Sequence, residues 1–279
     1  MTPATFAALT SILKARSGGV LTADQKYMLE TRLAGLLKRE GLKDLDALAA
    51  RLQGPCSEPL SQEMTELLTT NESSFFRDTR PFEHLRGLLP VLHRARPPGQ
   101  SLRIWSAACS TGQEAYSISI LASELGQADA SFAGRRVEII GTDISSPVLE
   151  RARAGVFTQF EVQRGLPIRT LMQRFTQEDT RWRVKPEVAT RCRFEKLNLL
   201  GDLRGLGRFD VIFCRNVLIY FDVPTKSQVL AHVADRMAPD GALYLGAAET
   251  AMGIAARLAP LPGERGVYGI AAEPAQLRA

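Results

Sequence analysis

The chain has 279 residues, of which 45% are hydrophobic and 23% are charged, a composition typical of globular proteins with one large domain and a smaller companion. Its net charge of +5 and pI near 9.2 favour an acidic partner, without distinguishing a nucleic acid from a protein. No apolar run approaches the length of a membrane span and the N-terminus has no signal-peptide pattern, so we expect a cytoplasmic protein that does not insert into membranes.

The cysteines and histidines give no sign of a metal site. The four cysteines are scattered along the chain: Cys56, Cys109, Cys192 and Cys214. None has the spacing of a metal-ligand pair, so we expect reduced thiols and no metal. The three histidines are isolated and are interpreted as surface or packing residues: His84, His93 and His232.

The N-terminal part of the chain has helical periodicity with clear capping residues. Thr2-Pro3 begins the first helix, Thr22 begins the second, and glycines end both. The pattern predicts four helices, at about residues 3–17, 23–40, 45–52 and 60–68. We therefore predict an N-terminal helical domain over residues 1–75.

The predicted second helix is amphipathic. Its buried stripe consists of Leu29, Leu33, Leu36 and Leu37. Arg32, Lys38 and Arg39 point away from this stripe. Such a basic face is most often simply solvated, but in a chain of net positive charge it also suits the docking of an acidic helix. The residues alone leave both interpretations open.

A short polar segment, TTNESSFFRD, runs from Thr69 to Asp78. Asn71, Ser73 and Arg77 are closely spaced in it, beside two phenylalanines able to anchor the segment in a core. The planar guanidinium of Arg77 suits bidentate binding of a carboxylate. The structural alternative is that Asn71 caps a helix and the serines form a polar linker.

The central stretch, residues 102–122, reads as a strand, a tight loop of small residues and a helix. Small side chains let the backbone approach a ligand, and the helix N-terminus offers free amide groups. The loop has neither the Lys-Ser/Thr pair of a P-loop nor the three glycines of a dinucleotide fingerprint. Glu114, at the start of the helix, would repel a pyrophosphate. The loop is therefore predicted to bind an uncharged or cationic ligand.

A second strand-like run, VEIIGTDIS, places Asp143 where the second strand of a Rossmann-like unit ends. A carboxylate there typically accepts hydrogen bonds from ribose hydroxyls. Together with the loop before Glu114, it suggests S-adenosylmethionine (SAM), a nucleoside cofactor without phosphates. The alternative is that Asp143 only caps the next helix. Because Ser146-Pro147 is itself a good helix start, we expect Asp143 to be available for a ligand.

The rest of the chain alternates between strands and helices, except for residues 156–190, which break the pattern. We predict there a small inserted subdomain with a few antiparallel strands. Alternation predicts an α/β fold with a largely parallel, Rossmann-like sheet over residues 76–279. In such a sheet, the carboxyl ends of the strands bind the ligand, and Asp143, Asn198 and Asn216 fall there. Residues 274–279 read as a loose tail.

Five of these segments resemble the motifs of CheR-type chemotaxis receptor methyltransferases, in the same order along the chain. The segments are TTNESSFFRD, IWSAACSTGQEAYSI, GTDIS, LNLL and FDVIFCRNVLIYFD. The resemblance implies a class I SAM-dependent protein-glutamate O-methyltransferase. Such enzymes of bacterial chemotaxis adaptation convert glutamate side chains of chemoreceptors to methyl esters, with S-adenosylhomocysteine (SAH) as the other product.

The resemblance also assigns residues. It implies cofactor contacts from Asn71, Ser73, Arg77, Glu114, Asp143, Asn198, Leu199, Asn216 and Val217. It places Arg77 and Tyr220 nearest the methyl transfer, and it implies receptor docking by Arg32, Lys38 and Arg39. The implied partner is the cytoplasmic methylation region of chemoreceptors. We expect a monomer that binds no nucleic acid.

The chain departs from the family pattern at three places. Gln113 and Ala115 flank Glu114 where the family more often has Glu and Pro, and the turn from Gly246 to Glu249 is less polar than its family counterpart. The inserted subdomain has a compact turn, TQEDTRWRV, in place of a longer glycine-bearing loop. Members with that longer loop tether to a peptide at the receptor C-terminus, so we predict that this chain does not need the tether.

Two other functions remain as alternatives. A nucleic-acid or small-molecule methyltransferase would suit the basic pI, but the chain lacks an Asn/Asp-Pro-Pro-aromatic motif and an interleaved basic-aromatic platform. A non-catalytic module that binds SAM and signals through a partner would be expected to have lost its reactive residues. Both Arg77 and Tyr220 are present, which favours the enzyme.

Overall fold

The computed structural model describes residues 1–55 and 57–271. Cys56 and the predicted tail from Pro274 lie outside the described residues. The chain forms two compact units: Met1–Thr70 together with Tyr220–Lys226, and residues 71–219 together with 227–271. The sequence placed the boundary after residue 75, whereas these contacts place it after Thr70. None of the described helices combines the length and apolarity needed to cross a membrane.

The helical unit is built from four helices with sequence-encoded starts: α1 (Pro3–Ser17), α2 (Lys26–Arg39), α3 (Leu45–Leu52) and α4 (Glu58–Leu68). The Thr2 side chain accepts a hydrogen bond from the Thr5 N–H at 3.1 Å, and Asp44 accepts one from the Ala47 N–H at 2.8 Å. Each bond satisfies an amide that the first helical turn leaves unpaired. The core is almost entirely leucine, with Leu33 fully buried at its centre.

A second stretch of chain, Tyr220–Lys226, completes the helical unit. Phe221 forms an antiparallel bridge with Gly19, and the Val20 N–H donates to the Tyr220 carbonyl at 2.9 Å. The Lys14 ammonium lies 2.6 Å from an Asp222 carboxylate oxygen. Asp222 also accepts a hydrogen bond from the Thr225 N–H. The hydrogen bonds from Lys14 and Thr225 hold the pKa of the Asp222 carboxyl well below its usual range. The stretch is thus fixed by both backbone and side-chain contacts.

The second unit contains the sheets. Its elements in chain order are α5 (Arg80–Ala95), β1 (Leu102–Ala107), α6 (Gln113–Ala128), α7 (Ala130–Ala133), β2 (Val137–Asp143), α8 (Ser146–Ala154), β3 (Val156–Thr158), α9 (Gln159–Gln163), α10 (Ile168–Arg174), β4 (Phe175–Glu178), β5 (Arg181–Val184), α11 (Pro186–Ala189), β6 (Cys192–Lys196), β7 (Phe209–Cys214), α12 (Val223–Asp235, which begins in the helical unit's second stretch), β8 (Met237–Leu245), β9 (Leu258–Pro260) and β10 (Val267–Ile270). Helix α5 is absent from the sequence prediction.

The main sheet has seven strands in the order β6-β2-β1-β7-β8-β10-β9. The first five are parallel, while β10 runs antiparallel to β8 and β9 runs antiparallel to β10. The inserted subdomain carries a separate antiparallel sheet in the order β3-β5-β4. The predicted fold class is therefore confirmed: a helical N-terminal domain, a mostly parallel α/β sheet and a small antiparallel insertion. The carboxyl ends of β6, β2, β1 and β7 lie side by side.

Candidate active site

The loop between β1 and α6 follows a strained path beside the end of β2. Ala108 and Ser110 have φ values of +54° and +51°, and Gly112 has +91°. For residues with a side chain, such a conformation costs on the order of 1–3 kcal/mol and tends to occur at functional sites. At Gly112, a Cβ would lie 3.0 Å from the Ala152 side chain, so the glycine also permits close packing against α8. The loop is thus shaped for close approach to a ligand.

Asp143 ends β2 and joins two loops. One carboxylate oxygen accepts the Ser110 N–H at 2.9 Å, and the other accepts the Ser145 N–H at 2.9 Å. Ser145 caps α8 through its backbone but makes no capping bond with its side chain. The expectation that Ser146-Pro147 would leave Asp143 available was therefore wrong in part, because the acid also supports the helix start. A carboxylate has about four acceptor positions, so binding these amides is compatible with a ligand role.

Glu114, in the first turn of α6, is a buried carboxylate. It accepts the Ser106 hydroxyl at 2.7 Å on one oxygen and the Arg215 guanidinium at 3.1 Å on the other. Burial raises the pKa of Glu114, and the positive charges of Arg215 and Arg77 oppose that rise. Its side chain is 13% exposed, so it is nearly enclosed by protein.

Arg215 follows β7 directly and is the main site residue that the sequence analysis did not assign. Its side chain is 1% exposed. Besides Glu114, it donates to the Asp78 carboxylate at 2.6 Å and to the Arg77 carbonyl at 3.0 Å. The sequence feature that could have identified Arg215 is its position directly after the apolar run FDVIFC, where a charged side chain is expected to be buried and paired. Charged side chains are almost never fully buried unless they are paired.

Residues 71–79 form a second strained segment at the site. Phe76, Asp78 and Thr79 all have positive φ values, of +47°, +67° and +45°. Phe75 is fully buried, with its ring packed edge-on against two subdomain phenylalanines, so the predicted anchoring role is confirmed. Arg77 is half-buried and donates to the Glu72 carbonyl at 3.2 Å.

Glu249, in the turn after β8, binds backbone amides of the loop that follows β7. One of its oxygens accepts the N–H groups of Gly246 at 2.6 Å and Asn216 at 2.8 Å, and the other accepts the Ile219 N–H at 3.3 Å. Asn216 has φ of +58°. A Cβ at Gly246 would lie 2.9 Å from the Asn216 side-chain nitrogen, so a glycine is needed there. The Gly246–Glu249 turn therefore supports Asn216, although it is less polar than its family counterpart.

The remaining cofactor candidates lie along the same strand ends. Asn198 follows β6, next to β2 in the sheet, and its side-chain oxygen accepts the Leu200 N–H at 3.0 Å. Leu199 is buried, and Val217 is half-buried. The Asn71 carbonyl accepts the Ser110 hydroxyl at 3.0 Å, which brings that segment to the β1–α6 loop. Ser73 is half-buried in the same segment.

The other candidate residues belong to the helical unit. Tyr220 is 38% exposed. The Arg32 guanidinium does not point freely away from the leucine stripe as predicted: it is half-buried and donates to the Leu68 and Thr69 carbonyls at 2.8 and 2.9 Å, at the end of α4. Arg39 forms surface ion pairs with Glu63 and Glu40, which raise its pKa.

A cavity of about 320 Å³ lies at the opposite edge of the sheet, near the amino ends of β1 and β7. Its central charges are paired within the protein. Arg96 lies 2.6 Å from Asp210 and 2.7 Å from Asp240, and the Arg103 guanidinium lies 4.6 Å from the centre of the Phe209 ring. The Arg96 ion pairs join the end of α5 to β7 and β8. The polar groups that suit a ligand are instead at the carboxyl ends.

The residues at the carboxyl ends fit SAM. An acid at the end of β2 suits ribose hydroxyls, and a carboxylate and a guanidinium close together suit the charged amino-acid end of the cofactor. Residues 1–55 and 57–271 contain no group of three or more histidines, cysteines or acids arranged for a metal ion. The strand order, with one antiparallel strand inserted beside β8, and this site define a class I SAM-dependent methyltransferase.

Comparison with known proteins defines the family. Residues 71–267 match the family described as CheR methyltransferase, SAM binding domain, and residues 4–70 match the CheR methyltransferase all-alpha domain. The chain therefore belongs to the CheR methyltransferase family, the chemotaxis protein methyltransferases, as its motifs predicted.

Two relatives show how far the similarity extends. The chain is 37% identical to chemotaxis protein methyltransferase Cher2 of Pseudomonas putida, over 87% of this chain and 88% of the relative. It is 40% identical to chemotaxis protein methyltransferase 1 of Pseudomonas aeruginosa, over 88% and 90%. Among solved structures, the glycopeptide N-methyltransferase MtfA in complex with SAM covers 71% of this chain and 69% of its own, at 17% identity and a TM-score of 0.36. That distant likeness carries no information about the substrate.

Proposed function

We propose that this chain transfers the methyl group of SAM to glutamate side chains in the cytoplasmic methylation region of chemoreceptors. The products are glutamyl methyl esters and SAH. The observation that carries the proposal is the ion pair of Glu114 with Arg215, which also binds the Arg77 carbonyl, at the carboxyl ends of the parallel strands where Asp143 lies. The names of the chemotaxis relatives support the substrate class.

The proposed cofactor contacts divide by chemistry. Asp143 accepts the ribose hydroxyls, and Asn198 and Leu199 flank the adenine. The Glu114 carboxylate suits the ammonium group of the cofactor, while the Arg77 guanidinium suits a carboxylate, either that of the cofactor or that of the incoming glutamate. Asn71, Ser73, Asn216 and Val217 complete the set.

The reaction places modest demands on the protein's acid-base groups. When bound, SAM supplies a methyl group on a positively charged sulfur. A glutamate side chain has a reference pKa of about 4.3 and is already ionised at neutral pH, so no strong general base is required. The residues of the chain therefore act by alignment and by removing water from the attacking carboxylate. We assign to the Tyr220 hydroxyl a hydrogen bond that positions one carboxylate oxygen.

The proposed receptor-docking surface is the basic face of α2. Lys38 and Arg39 are exposed there and are suited to an acidic receptor helix. Arg32 contributes less directly, because its guanidinium is already bound to the end of α4. The enzyme is proposed to act as a monomer in the cytoplasm, without binding nucleic acid and without a metal.

We also propose that the enzyme does not use a peptide tether at the receptor C-terminus. Strands β4 and β5 are joined by only two residues, Asp179 and Thr180, and Asp179 has φ of +51°. This turn replaces the longer glycine-bearing loop of the members that use the tether. Calorimetric titration with a C-terminal receptor pentapeptide tests this: clear micromolar binding would refute it.

The decisive experiment is transfer of radiolabelled methyl from SAM to membranes that carry chemoreceptors, with alkali-labile methanol as the readout. We expect labile label on the receptor, and its loss in Arg77→Ala. An SAH dissociation constant that rises in Arg77→Ala assigns Arg77 to the carboxylate of the cofactor, and an unchanged one assigns it to the carboxylate of the incoming glutamate. Label on RNA, or SAH binding without any transfer, would contradict the proposal and favour one of the two alternative functions.

A further inference from the structure

We propose that Arg215 is a positioning residue for methyl transfer, which holds Glu114 and the turn at Arg77 in the arrangement that binds the amino-acid end of SAM. This inference rests on the proposed cofactor roles of Glu114 and Arg77. Neither the motifs nor the resemblance assigned a role to Arg215.

One guanidinium connects three separate parts of the site. Arg215 lies at the end of β7, next to β1 in the sheet, where Cys214 is in register with Ala107. Its Nη1 donates to Glu114 at 3.1 Å, in the helix that follows β1. Its Nη2 donates to the Asp78 carboxylate at 2.6 Å and to the Arg77 carbonyl at 3.0 Å. A lysine ammonium also has three donors, but all of them are on one nitrogen, whereas the planar fork of arginine presents donors on separate nitrogens towards different segments.

The bonds to residues 77 and 78 act on a strained backbone. Phe76 and Asp78, on either side of Arg77, both have φ in the left-handed region, and so does Thr79. Such a conformation persists only when surrounding contacts over-determine it. Arg215 supplies two of these contacts, from a side chain that is 1% exposed. The direction of the Arg77 side chain therefore depends on Arg215.

Arg215 is also the principal counter-charge of a buried acid. The charged and titratable groups around Glu114 are Arg77, Asp78, Arg215, Cys109 and Cys214. Burial raises the pKa values of both thiols well above their usual range, so they carry no charge at neutral pH. The two arginines favour the ionised form of Glu114, with the larger effect from Arg215. Without Arg215, the already raised pKa of Glu114 would rise further.

A higher pKa of Glu114 changes how cofactor affinity depends on pH. A Glu114 carboxyl with a higher pKa gains a proton as the pH falls, and the neutral acid no longer attracts an ammonium group. Cofactor affinity would then weaken towards acid pH and recover towards alkaline pH. The wild-type enzyme, in which Arg215 stabilises the carboxylate, should show a much flatter dependence.

The arrangement is costly, which argues for a role beyond folding. The Nε–H of Arg215 is buried and has no hydrogen-bond partner among the described residues. Buried donors are nearly always paired, and an exception deserves an explanation. Replacing a buried ion pair by apolar residues is often neutral or stabilising, so stability alone does not explain the retention of Arg215.

The test is calorimetric titration of SAH, which has the same charged amino-acid end as SAM, between about pH 6 and pH 9. The variants are Arg215→Met, Glu114→Gln and the double variant, with Arg257→Met as a control that removes a surface arginine paired to Asp235. We expect Arg215→Met to weaken SAH binding by about tenfold or more near pH 6, with much of the loss recovered near pH 9. In the Glu114→Gln background, the Arg215→Met change should add no pH dependence. The control should match the wild type.

Three results would overturn the proposal. The first is wild-type SAH affinity in Arg215→Met at every pH, and the second is a loss that does not depend on pH. The third is a pH dependence that persists in the double variant. Should Arg215→Met fail to fold, Arg215→Lys takes its place: it retains the charge, so the pH profile should stay flat while kcat falls several-fold because the Arg77 turn is released, and wild-type turnover would refute the role. If the wild-type chain itself binds no SAH, the proposed function fails instead.

Discussion

The helical unit and the strand-end site of the second unit are stabilised in opposite ways. The core of the helical unit is a cluster of leucines, and its charged residues lie outside that core. At the strand ends, by contrast, Glu114 and Arg215 are buried ions, and the backbone takes left-handed turns at residues such as Ser110 and Asn216. Apolar packing tolerates many similar sequences, whereas a buried ion network works only when every partner is present. The helical unit is thus stabilised by apolar packing, and the strand ends carry the polar groups suited to chemistry.

The largest expected effect tests the apolar side of this comparison. Leu33→Ala removes a fully buried side chain from the centre of the helical core and should lower the free energy of unfolding by about 2–5 kcal/mol. Denaturant unfolding followed by circular dichroism measures the loss. SAH affinity should remain unchanged, because the proposed cofactor contacts lie in the other unit. A change in SAH affinity under conditions where the variant is fully folded would break the comparison.

The next effect tests the ionic side. Asp143→Asn replaces an oxygen that accepts a loop amide with an NH₂ group that cannot, and it removes the charge proposed to bind the ribose hydroxyls. We expect SAH binding to weaken by about 10- to 100-fold, in line with hydrogen bonds to a charged group. Calorimetry checks this, with Asp129→Asn, an exposed helix cap, as the matched control. Equal affinities for the two variants would exclude the ribose role.

A smaller effect is expected at the residue nearest the chemistry. Tyr220→Phe removes one hydroxyl and should reduce the methylation rate by about tenfold, as expected for one lost hydrogen bond. SAH affinity should not change, because Tyr220 is assigned to the substrate carboxylate. Single-turnover kinetics with receptor membranes separates the two quantities, and Tyr27→Phe, which alters an exposed tyrosine of α2, serves as the control. Wild-type turnover would refute the role.

The smallest effect sharpens the docking proposal. Arg39→Glu should raise the receptor KM by about threefold and more at low ionic strength, because exposed charges act mainly through screened, long-range attraction. SAH affinity should stay the same. Arg51→Glu, at the end of α3, supplies a reversal of an exposed arginine outside the basic face of α2. If the two reversals had the same effect, only net charge would matter and no specific docking face would exist.

Local patterns in the sequence predicted the elements that local physics determines. The starts of α1 and α8 follow from Thr2-Pro3 and Ser146-Pro147, and the strand-loop-helix around Glu114 follows from its spacing of small and apolar residues. Helix α5 was not predicted, although both of its prolines are compatible with a helix. Here one proline occupies the first turn, where it lacks no bond, and Pro90 is accommodated inside the helix.

The ion network could not be read from the sequence in the same way. Arg215 and Glu114 are 101 positions apart, and Glu249 is 33 positions from the Asn216 amide that it binds. These partners meet only because parallel strands bring their carboxyl ends to one edge. Arg32 is a similar case: helical spacing predicted a side chain that points away from the leucines, and only the structure shows the carbonyls of Leu68 and Thr69 that bind it.

The second stretch of the helical unit has a consequence for the modularity of the protein. Tyr220–Lys226 is encoded far downstream of Thr70, yet it pairs with Gly19 and Val20 and is joined to Lys14 through Asp222. A chain that ends at residue 70 would therefore lack Tyr220–Lys226, and the Val20 N–H would lose its backbone acceptor. The helical unit is thus not encoded by one continuous stretch of the chain. A chimaera that exchanges the complete helical unit between relatives would therefore need to carry both stretches of chain.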